Sequence, residues 1–184
     1  MVATVTTRTA GRAQGGPVPG TPSVLHVIPS LRIGGTELQL VEFINRSSCP
    51  RQHAVAVFDE EGSLAADLRS GIFSVGPFGR TASSYPRNAI AARRLREVIR
   101  KLRVDVVHAH LGVSEILAAL AVPRDVPIVA SRRGRNVGFE AFRWLKVVEG
   151  LGHRRVAMMI CNSNYLAEYT RRHDLAAPPI RAGC

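Results

Sequence analysis

The sequence has few cysteines, few aromatic residues and no long apolar run, and each shortage excludes a class of protein. Its three cysteines, Cys49, Cys161 and Cys184, lie far apart and form no C-x-x-C pair, so neither a disulfide framework nor a zinc knuckle is expected. No apolar stretch approaches the roughly 20 residues of a membrane-spanning helix. Aromatic residues make up 5%, and the interleaved stacking aromatics and recognition motifs of nucleic-acid-binding modules are missing.

Acidic residues are also scarce. The 14 Asp and Glu residues are outnumbered by 25 Lys and Arg residues, which gives a net charge of +11. This balance favours an anionic partner, which could be nucleic acid, acidic lipid or a phosphorylated ligand. The 184 residues suffice for one α/β domain but are short for two domains and a cleft. Residues 1–22 hold no acidic residue and no apolar block. We therefore expect a flexible tail without a secretory signal, and a cytoplasmic chain.

Apolar runs alternate with segments of helical period between residues 24 and 173. The predicted strands are Val24–Ile28, His53–Phe58, Ile72–Val75, Val104–Ala109, Pro127–Ala130 and Ala157–Cys161, and the predicted helices are Thr36–Asn45, Gly62–Ser70, Arg87–Arg103, Ser114–Val122, Phe139–Leu151 and Ser163–His173. This alternation predicts an α/β fold, a doubly wound, mostly parallel Rossmann-like sheet with helices on both faces. Ligands of such sheets bind beyond the carboxyl ends of the strands, so functional residues should follow these ends.

The loop after the first predicted strand contains Gly34 and Gly35 and opens a helix. Paired glycines could take positive φ and bring the backbone close to a ligand, while the helix N-terminus attracts an anion such as phosphate. A plain tight turn is the alternative. The loop matches neither G-x-G-x-x-G nor the P-loop pattern, which argues against a dinucleotide or ATP site.

Two histidines, His108 and His110, end the fourth predicted strand. Their spacing of two places both imidazoles on one side of a regular strand, where they could bind substrate, bind a metal or serve a structural role. Only these two zinc ligands are visible, and no Asp, Glu or Cys cluster completes a set. No metal site is predicted.

Polar residues follow the next two strands as well. Ser131, Arg132 and Arg133 come after the fifth, where guanidinium groups suit a phosphate or carboxylate, although a solvated loop is the alternative. Asn162 and Ser163 follow the sixth, and there a helix cap is the better interpretation.

Four segments, taken in order, resemble the N-terminal domain of family 4 retaining glycosyltransferases, which have the two-domain GT-B architecture. They are HVIPSLRIGGTELQLVEF (26–43), DVVHAHLG (105–112), PIVASRRG (127–134) and MICNSNYLAEYTRR (159–172). The resemblance implies an acceptor-binding domain that faces a second, nucleotide-sugar-binding domain, with no obligatory metal and no cofactor beyond the nucleotide-sugar co-substrate.

The resemblance also implies roles for particular residues. Gly34 and Gly35 would lie near the donor diphosphate, and His110 would point into the cleft as the catalytic candidate. Ser131 and Arg132 would line the acceptor side. His108, Asn162 and Ser163 are weaker site candidates.

The resemblance predicts residues 23–176 as the family 4-like domain and residues 177–184 as the truncated start of the interdomain region, with the donor domain absent. The expected function is transfer of a sugar to a lipid-linked, polysaccharide or small-molecule acceptor in the synthesis of cell-envelope glycan or glycolipid, with this chain inactive by itself and no nucleic acid bound. Peripheral contact with anionic membrane at its inner face is expected through the basic segment Arg87–Arg103, extended by Arg143, Trp144, Lys146, Arg154 and Arg155. The alternative for this surface is that its arginines only solvate the outer faces of helices that cover the sheet. The alternatives are a basic phosphate- or nucleic-acid-binding α/β module without catalysis, and a phosphate-binding α/β enzyme such as a dehydrogenase.

Overall fold

A computed structural model of the chain describes the backbone of residues 6–8 and residues 22–79, 85–134, 150–174 and 177–183. The strands are β1 (Thr6–Arg8), β2 (Val24–Ser30), β3 (His53–Glu60), β4 (Gly71–Ser74), β5 (Val106–His110), β6 (Ile128–Arg132), β7 (Val156–Cys161) and β8 (Ile180–Ala182). The helices are α1 (Gly35–Arg46), α2 (Tyr85–Leu102), α3 (Gly112–Ala121) and α4 (Asn164–His173). Most of the predicted tail, most of the predicted helix Phe139–Leu151 with Arg143, Trp144 and Lys146, and Cys184 lie outside the described residues.

The eight strands form one sheet in the order β1-β4-β3-β2-β5-β6-β7-β8. All neighbours pair in parallel except β1, which runs antiparallel to β4 at the edge. The chain winds outward from β2 to β4 and then returns to place β5 on the other side of β2. The strand order therefore reverses between β2 and β5, and the predicted doubly wound, mostly parallel sheet is confirmed.

Alternate side chains of the central strands enter two separate apolar layers. Leu25 and Val27 pack with residues of α2, α3 and α4, whereas Ile28 packs with α1 and the turn that follows β3. This period of two is the property of a strand buried on both faces. Helices cover both faces as predicted, and His26 lies on the α1 side of the sheet.

Three features differ from the prediction. The tail 1–22 was expected to be flexible, but Thr6–Arg8 forms β1 and pairs antiparallel with β4, because an edge strand offers unpaired backbone groups to a further strand. The segment Gly62–Ser70 was expected to be a short helix, but only Ser63–Ala66 forms a 3-10 turn, because Gly62 adopts φ 73° and ψ 170° and the chain must return to β4 within a few residues. The strand Ile180–Ala182 was not predicted, and it pairs in parallel with β7. Among the described helices, none combines the length and apolarity needed to cross a bilayer.

Candidate functional site

The carboxyl ends of β2 and β5 meet where the strand order reverses. In an open α/β sheet this reversal leaves a crevice, because the loops leaving the two strands turn to opposite sides. His26 of β2 is the register partner of His108 of β5, and His110 is the last residue of β5. The fold therefore brings His110 to this reversal, with His26 and His108 paired beside each other two residues deeper in the sheet.

These residues belong to a histidine cluster formed by His26, His53, His108 and His110. The His26 Nδ1 atom lies 3.1 Å from His110 Nε2, and the His26 Nε2 atom lies 3.1 Å from His53 Nδ1. The rings of His108 and His110 have centroids 4.1 Å apart, which confirms that they share one side of the strand. Sequence reasoning missed His26 and His53, although a histidine interrupting the apolar run VLHVI was an available signal.

The histidine cluster is neutral in the folded protein. Burial is the main cause that lowers the pKa of His26 and His110 well below the ordinary value of 6.5, and neighbouring histidines lower it further. Burial and the nearby charge of Arg133 lower the pKa of His108 to about 4. The uncharged rings can accept hydrogen bonds or bind a metal at neutral pH.

His110 is buried, with 2% of its surface exposed, and this corrects the expectation of an imidazole open to the cleft. It packs within the histidine cluster because it continues the face of the sheet on which His26 and His108 lie. Its Nδ1 atom has no hydrogen-bond partner among the described residues. The next residue, Leu111, has φ 71° and ψ 149°, a conformation rare outside glycine that concentrates at functional sites.

The glycine loop has a different geometry from the one predicted. Gly34 is extended, with φ −159°, and the described glycines with positive φ are Gly62 and Gly76. A Cβ on Gly34 would lie 2.4 Å from Glu37 Oε2, whereas one on Gly35 would meet nothing within 4 Å. The carboxylate of Glu37 thus folds back over the first turn of α1. An anion at this helix N-terminus would share the space with Glu37.

Strand β6 places the side chains of Ser131 and Arg132 on opposite faces of the sheet. It continues to Arg132, two residues beyond its predicted end at Ala130, so consecutive side chains point to opposite faces. Ser131 Oγ lies 2.7 Å from His108 Nε2 and so joins the candidate site. Arg133 lies close enough to lower the pKa of His108 and His110. Burial lowers the pKa of Arg133 itself, and the nearby carboxylate of Glu37 opposes this shift.

Arg132 instead belongs to a buried ionic network on the other face. Its guanidinium is 3% exposed and pairs with Asp174 and, at 3.7 Å, with Glu115. His153 Nε2 lies 3.1 Å from Glu115 Oε2. The sequence-based placement of Arg132 on the acceptor side is therefore wrong, because its side chain is enclosed between β6, α3 and α4. Arg133 is the guanidinium that faces the crevice.

Asn162 and Ser163 organise the end of β7. The Nδ2 atom of Asn162 donates to the carbonyl oxygen of Arg133 at 3.3 Å, and Ser163 Oγ accepts from the backbone N–H of Leu166 at 3.2 Å. Ser163 is therefore the N-cap of α4, as the sequence predicted. Asn162 stabilises the loop that carries Arg133.

Comparison with known proteins identifies the family of the chain. The model of the family described as Glycosyltransferase Family 4 matches residues 33–182. Solved structures similar to the chain include the HepE protein of Anabaena in complex with UDP and glucose, with 18% identity and a TM-score of 0.61 over 88% of this chain and 44% of that one. Sucrose-phosphate synthase from Thermosynechococcus elongatus has 12% identity and a TM-score of 0.62 over 88% of this chain and 47% of that one.

A third similar structure is UDP-N-acetylglucosamine 2-epimerase from Rickettsia bellii, with 14% identity and a TM-score of 0.56 over 85% of this chain and 43% of that one. At such identities the likeness concerns the fold, a Rossmann-like half of the GT-B architecture. The chain spans less than half the length of each of these structures. Among curated proteins, none matches the chain in sequence.

Proposed function

Because the chain belongs to Glycosyltransferase Family 4, whose model covers residues 33–182, we propose that it forms the acceptor-side half of an enzyme that transfers a sugar from a nucleoside diphosphate donor with retention of configuration. The observation that carries this proposal is the set of groups at the reversal between β2 and β5. Neutral imidazoles, one guanidinium and an uncapped helix N-terminus meet there. Such groups suit the hydroxyls of a sugar and the phosphates of its donor.

Each group has a distinct task in the proposed site. Arg133 binds the donor diphosphate, and the N-terminus of α1 adds its free N–H groups once the Glu37 carboxylate turns away from them, since a guanidinium fork and free N–H groups both fit phosphate oxygens. Ser131 and His108 orient the acceptor or sugar from the same face of β6 and β5. His110 is a buried, neutral ring that holds His26 and His108 in position through its contacts in the histidine cluster. A similar structure, HepE, contains UDP and glucose, which supports a nucleotide-sugar co-substrate.

We further propose that the acceptor is lipid-linked and that the chain acts at an anionic membrane surface. The support is a very basic outer face, since Arg87, Arg93, Arg100, Lys101 and Arg103 of the α2 region are exposed. A cytoplasmic chain at the inner face of the membrane, taking part in glycan or glycolipid synthesis, fits this charge.

Donor binding by the 184 residues alone tests the proposed site. We expect UDP and UDP-glucose to bind weakly, with a dissociation constant above about 10 µM, or −7 kcal/mol, because one wall supplies phosphate contacts without base or ribose recognition. Amide NMR shifts should map to the glycine loop and to Arg133. Turnover by these residues alone should be undetectable.

Two variants with the same loss of charge make the test specific. Arg133→Met should abolish the UDP-induced shifts, whereas Arg100→Met, which removes an exposed charge of α2, should leave them unchanged. UDP shifts that survive in Arg133→Met, or that map to α2, would refute the proposed diphosphate site. A dissociation constant well below 10 µM would show that these residues hold a complete donor site.

A further inference from the structure

We propose that His26, His108 and His110 form a binding site for one divalent metal ion of the zinc class, with a fourth position open toward the crevice. No metal is part of the glycosyl-transfer proposal above, so this inference goes beyond it. Three imidazole nitrogens favour zinc, cobalt, nickel or copper over the oxygen-seeking ions magnesium and calcium.

The distances among the three rings are close to those of a metal site. One ring nitrogen from each histidine lies within 4.8 Å of the other two. Two ligands at about 2.0–2.1 Å from a tetrahedral ion are about 3.4 Å apart, and His26 Nδ1 lies 3.1 Å from His110 Nε2. The nitrogen of His108 lies within 4.8 Å of the other two and would have to approach to the same separation when an ion binds.

The outer contacts of the rings are those that metal-binding histidines make. A ligating imidazole usually donates its other N–H to a fixed acceptor, which sets its tautomer and orientation. His26 Nε2 lies 3.1 Å from His53 Nδ1, and His108 Nε2 lies 2.7 Å from Ser131 Oγ. These contacts leave the Nδ1 atoms of His26 and His108 to face the ion.

His110 provides an independent indication. Its side chain is 2% exposed, yet its Nδ1 atom has no partner among the described residues. A buried polar nitrogen without a hydrogen bond is costly. An ion bound at Nδ1 removes that cost, whereas an ion at Nε2, the atom that lies 3.1 Å from His26 Nδ1, leaves Nδ1 to carry the ring proton. Because the three ligands lie on two central, directly paired strands, the site is held by the most rigid part of the fold.

A three-histidine site leaves one tetrahedral position for water or for an oxygen of a ligand, as in catalytic zinc centres. His110 ends β5, whereas His26 and His108 lie further back along their strands. The open position is therefore on the His110 side of the cluster, toward Ser131, which contacts His108. A phosphate or hydroxyl oxygen bound in the crevice is the natural fourth ligand.

Metal titration of the chelator-stripped chain tests the site without any sugar substrate. We expect one equivalent of Co²⁺ to bind with the visible absorption of a four-coordinate ion, and Zn²⁺ to displace it. In NMR spectra of the six imidazoles, the ring nitrogens of His26, His108 and His110 should shift, while those of His173 should not. Mg²⁺ should cause no change.

Matched variants complete the experiment. His110→Gln should weaken Zn²⁺ binding by about 100-fold. Loss of a residue that only supports a ligand already weakens metal binding by about 10–100-fold, and His110 is itself a ligand. His173→Gln should not alter Zn²⁺ binding. Absence of stoichiometric binding, or equal binding by both variants, overturns the proposal. If His110→Gln does not fold, the wild-type imidazole spectra decide, and shifts confined to other histidines overturn it. Either failure leaves the proposed sugar transfer standing, because UDP binding is measured separately.

Discussion

Arg132 and Arg133 are neighbours in the chain whose side chains have opposite surroundings. Arg132 is 3% exposed and compensates two buried carboxylates, those of Glu115 and Asp174. We expect Arg132→Met to lower the free energy of unfolding by about 3–5 kcal/mol, because removing one partner of a buried ion pair leaves uncompensated charge. Arg133→Met makes the same change at a half-exposed position and should cost less than about 1 kcal/mol. Urea unfolding of both variants measures the difference.

The two arginines should also separate stability from binding. Arg133→Met is expected to lose UDP contacts while it remains folded. If Arg132→Met retained wild-type stability and lost ligand binding instead, Arg132 would line the crevice and the interpretation of the buried network would be wrong.

Residue-scale prediction from sequence succeeded where a property is local. The cap at Ser163 and the shared side of His108 and His110 follow from neighbours within a few positions, and both are confirmed. The third histidine of the proposed metal site, His26, comes from a strand 82 residues away, and only the register between β2 and β5 brings it there. Arg132 was misplaced because an extension of β6 by two residues decides which face each side chain takes.

At the scale of elements, Gly62 holds the glycine loop in place. A Cβ at Gly62 would lie 2.2 Å from the carbonyl carbon of Leu31, and φ is 73°. Backbone bonds connect the two segments, from Leu31 N–H to Glu61 O and from Leu64 N–H to Leu31 O, each 3.0 Å. Gly62→Ala should therefore lower the free energy of unfolding by about 1–3 kcal/mol, the range for a strained backbone conformation. It should also displace the loop before α1.

Gly35→Ala is the matched control, since its added methyl group meets nothing within 4 Å and alanine favours a helix. It should be neutral or stabilising by up to about 1 kcal/mol. Thermal unfolding of both variants provides the measurement. A Gly62→Ala variant as stable as wild type would show that the turn after β3 does not need its present backbone conformation.

Elements with a clear apolar run or helical period were predicted, and the three-residue strands at the two edges of the sheet, β1 and β8, were not. The amphipathic pattern of Arg87–Arg103 corresponds to α2, and VLHVI to β2, because each has enough residues to show its period. The three residues of β8 follow two prolines and include one large apolar side chain, that of Ile180. Such a strand exists because β7 offers it an open edge, which no local pattern reports.

At the scale of the whole molecule, part of the excess positive charge lines a groove at the amino edge of the sheet, away from the histidine cluster. Arg96, Arg100, Arg124 and Arg155 line it around Leu120, which is 55% exposed. Arg96 donates to the carbonyl oxygens of Ala121 and Leu120 at the end of α3, at 2.9 and 3.1 Å. Part of this charge therefore stabilises the C-terminus of α3, and the rest is available to an anionic surface.

Vesicle sedimentation tests the proposed membrane contact. Since each arginine near an anionic surface contributes about 1 kcal/mol, the double variant Arg100→Gln and Arg124→Gln should bind anionic vesicles about 30-fold more weakly than wild type. Arg171→Gln, which removes an exposed charge of α4 already paired with Glu168, should have little effect. Wild-type binding should require anionic lipid and fall steeply as the screening length shortens from about 30 Å at 0.01 M salt to about 8 Å at 0.15 M. Equal binding to neutral vesicles, or none to anionic vesicles at low salt, would contradict the proposal. A soluble acceptor would then be the better hypothesis.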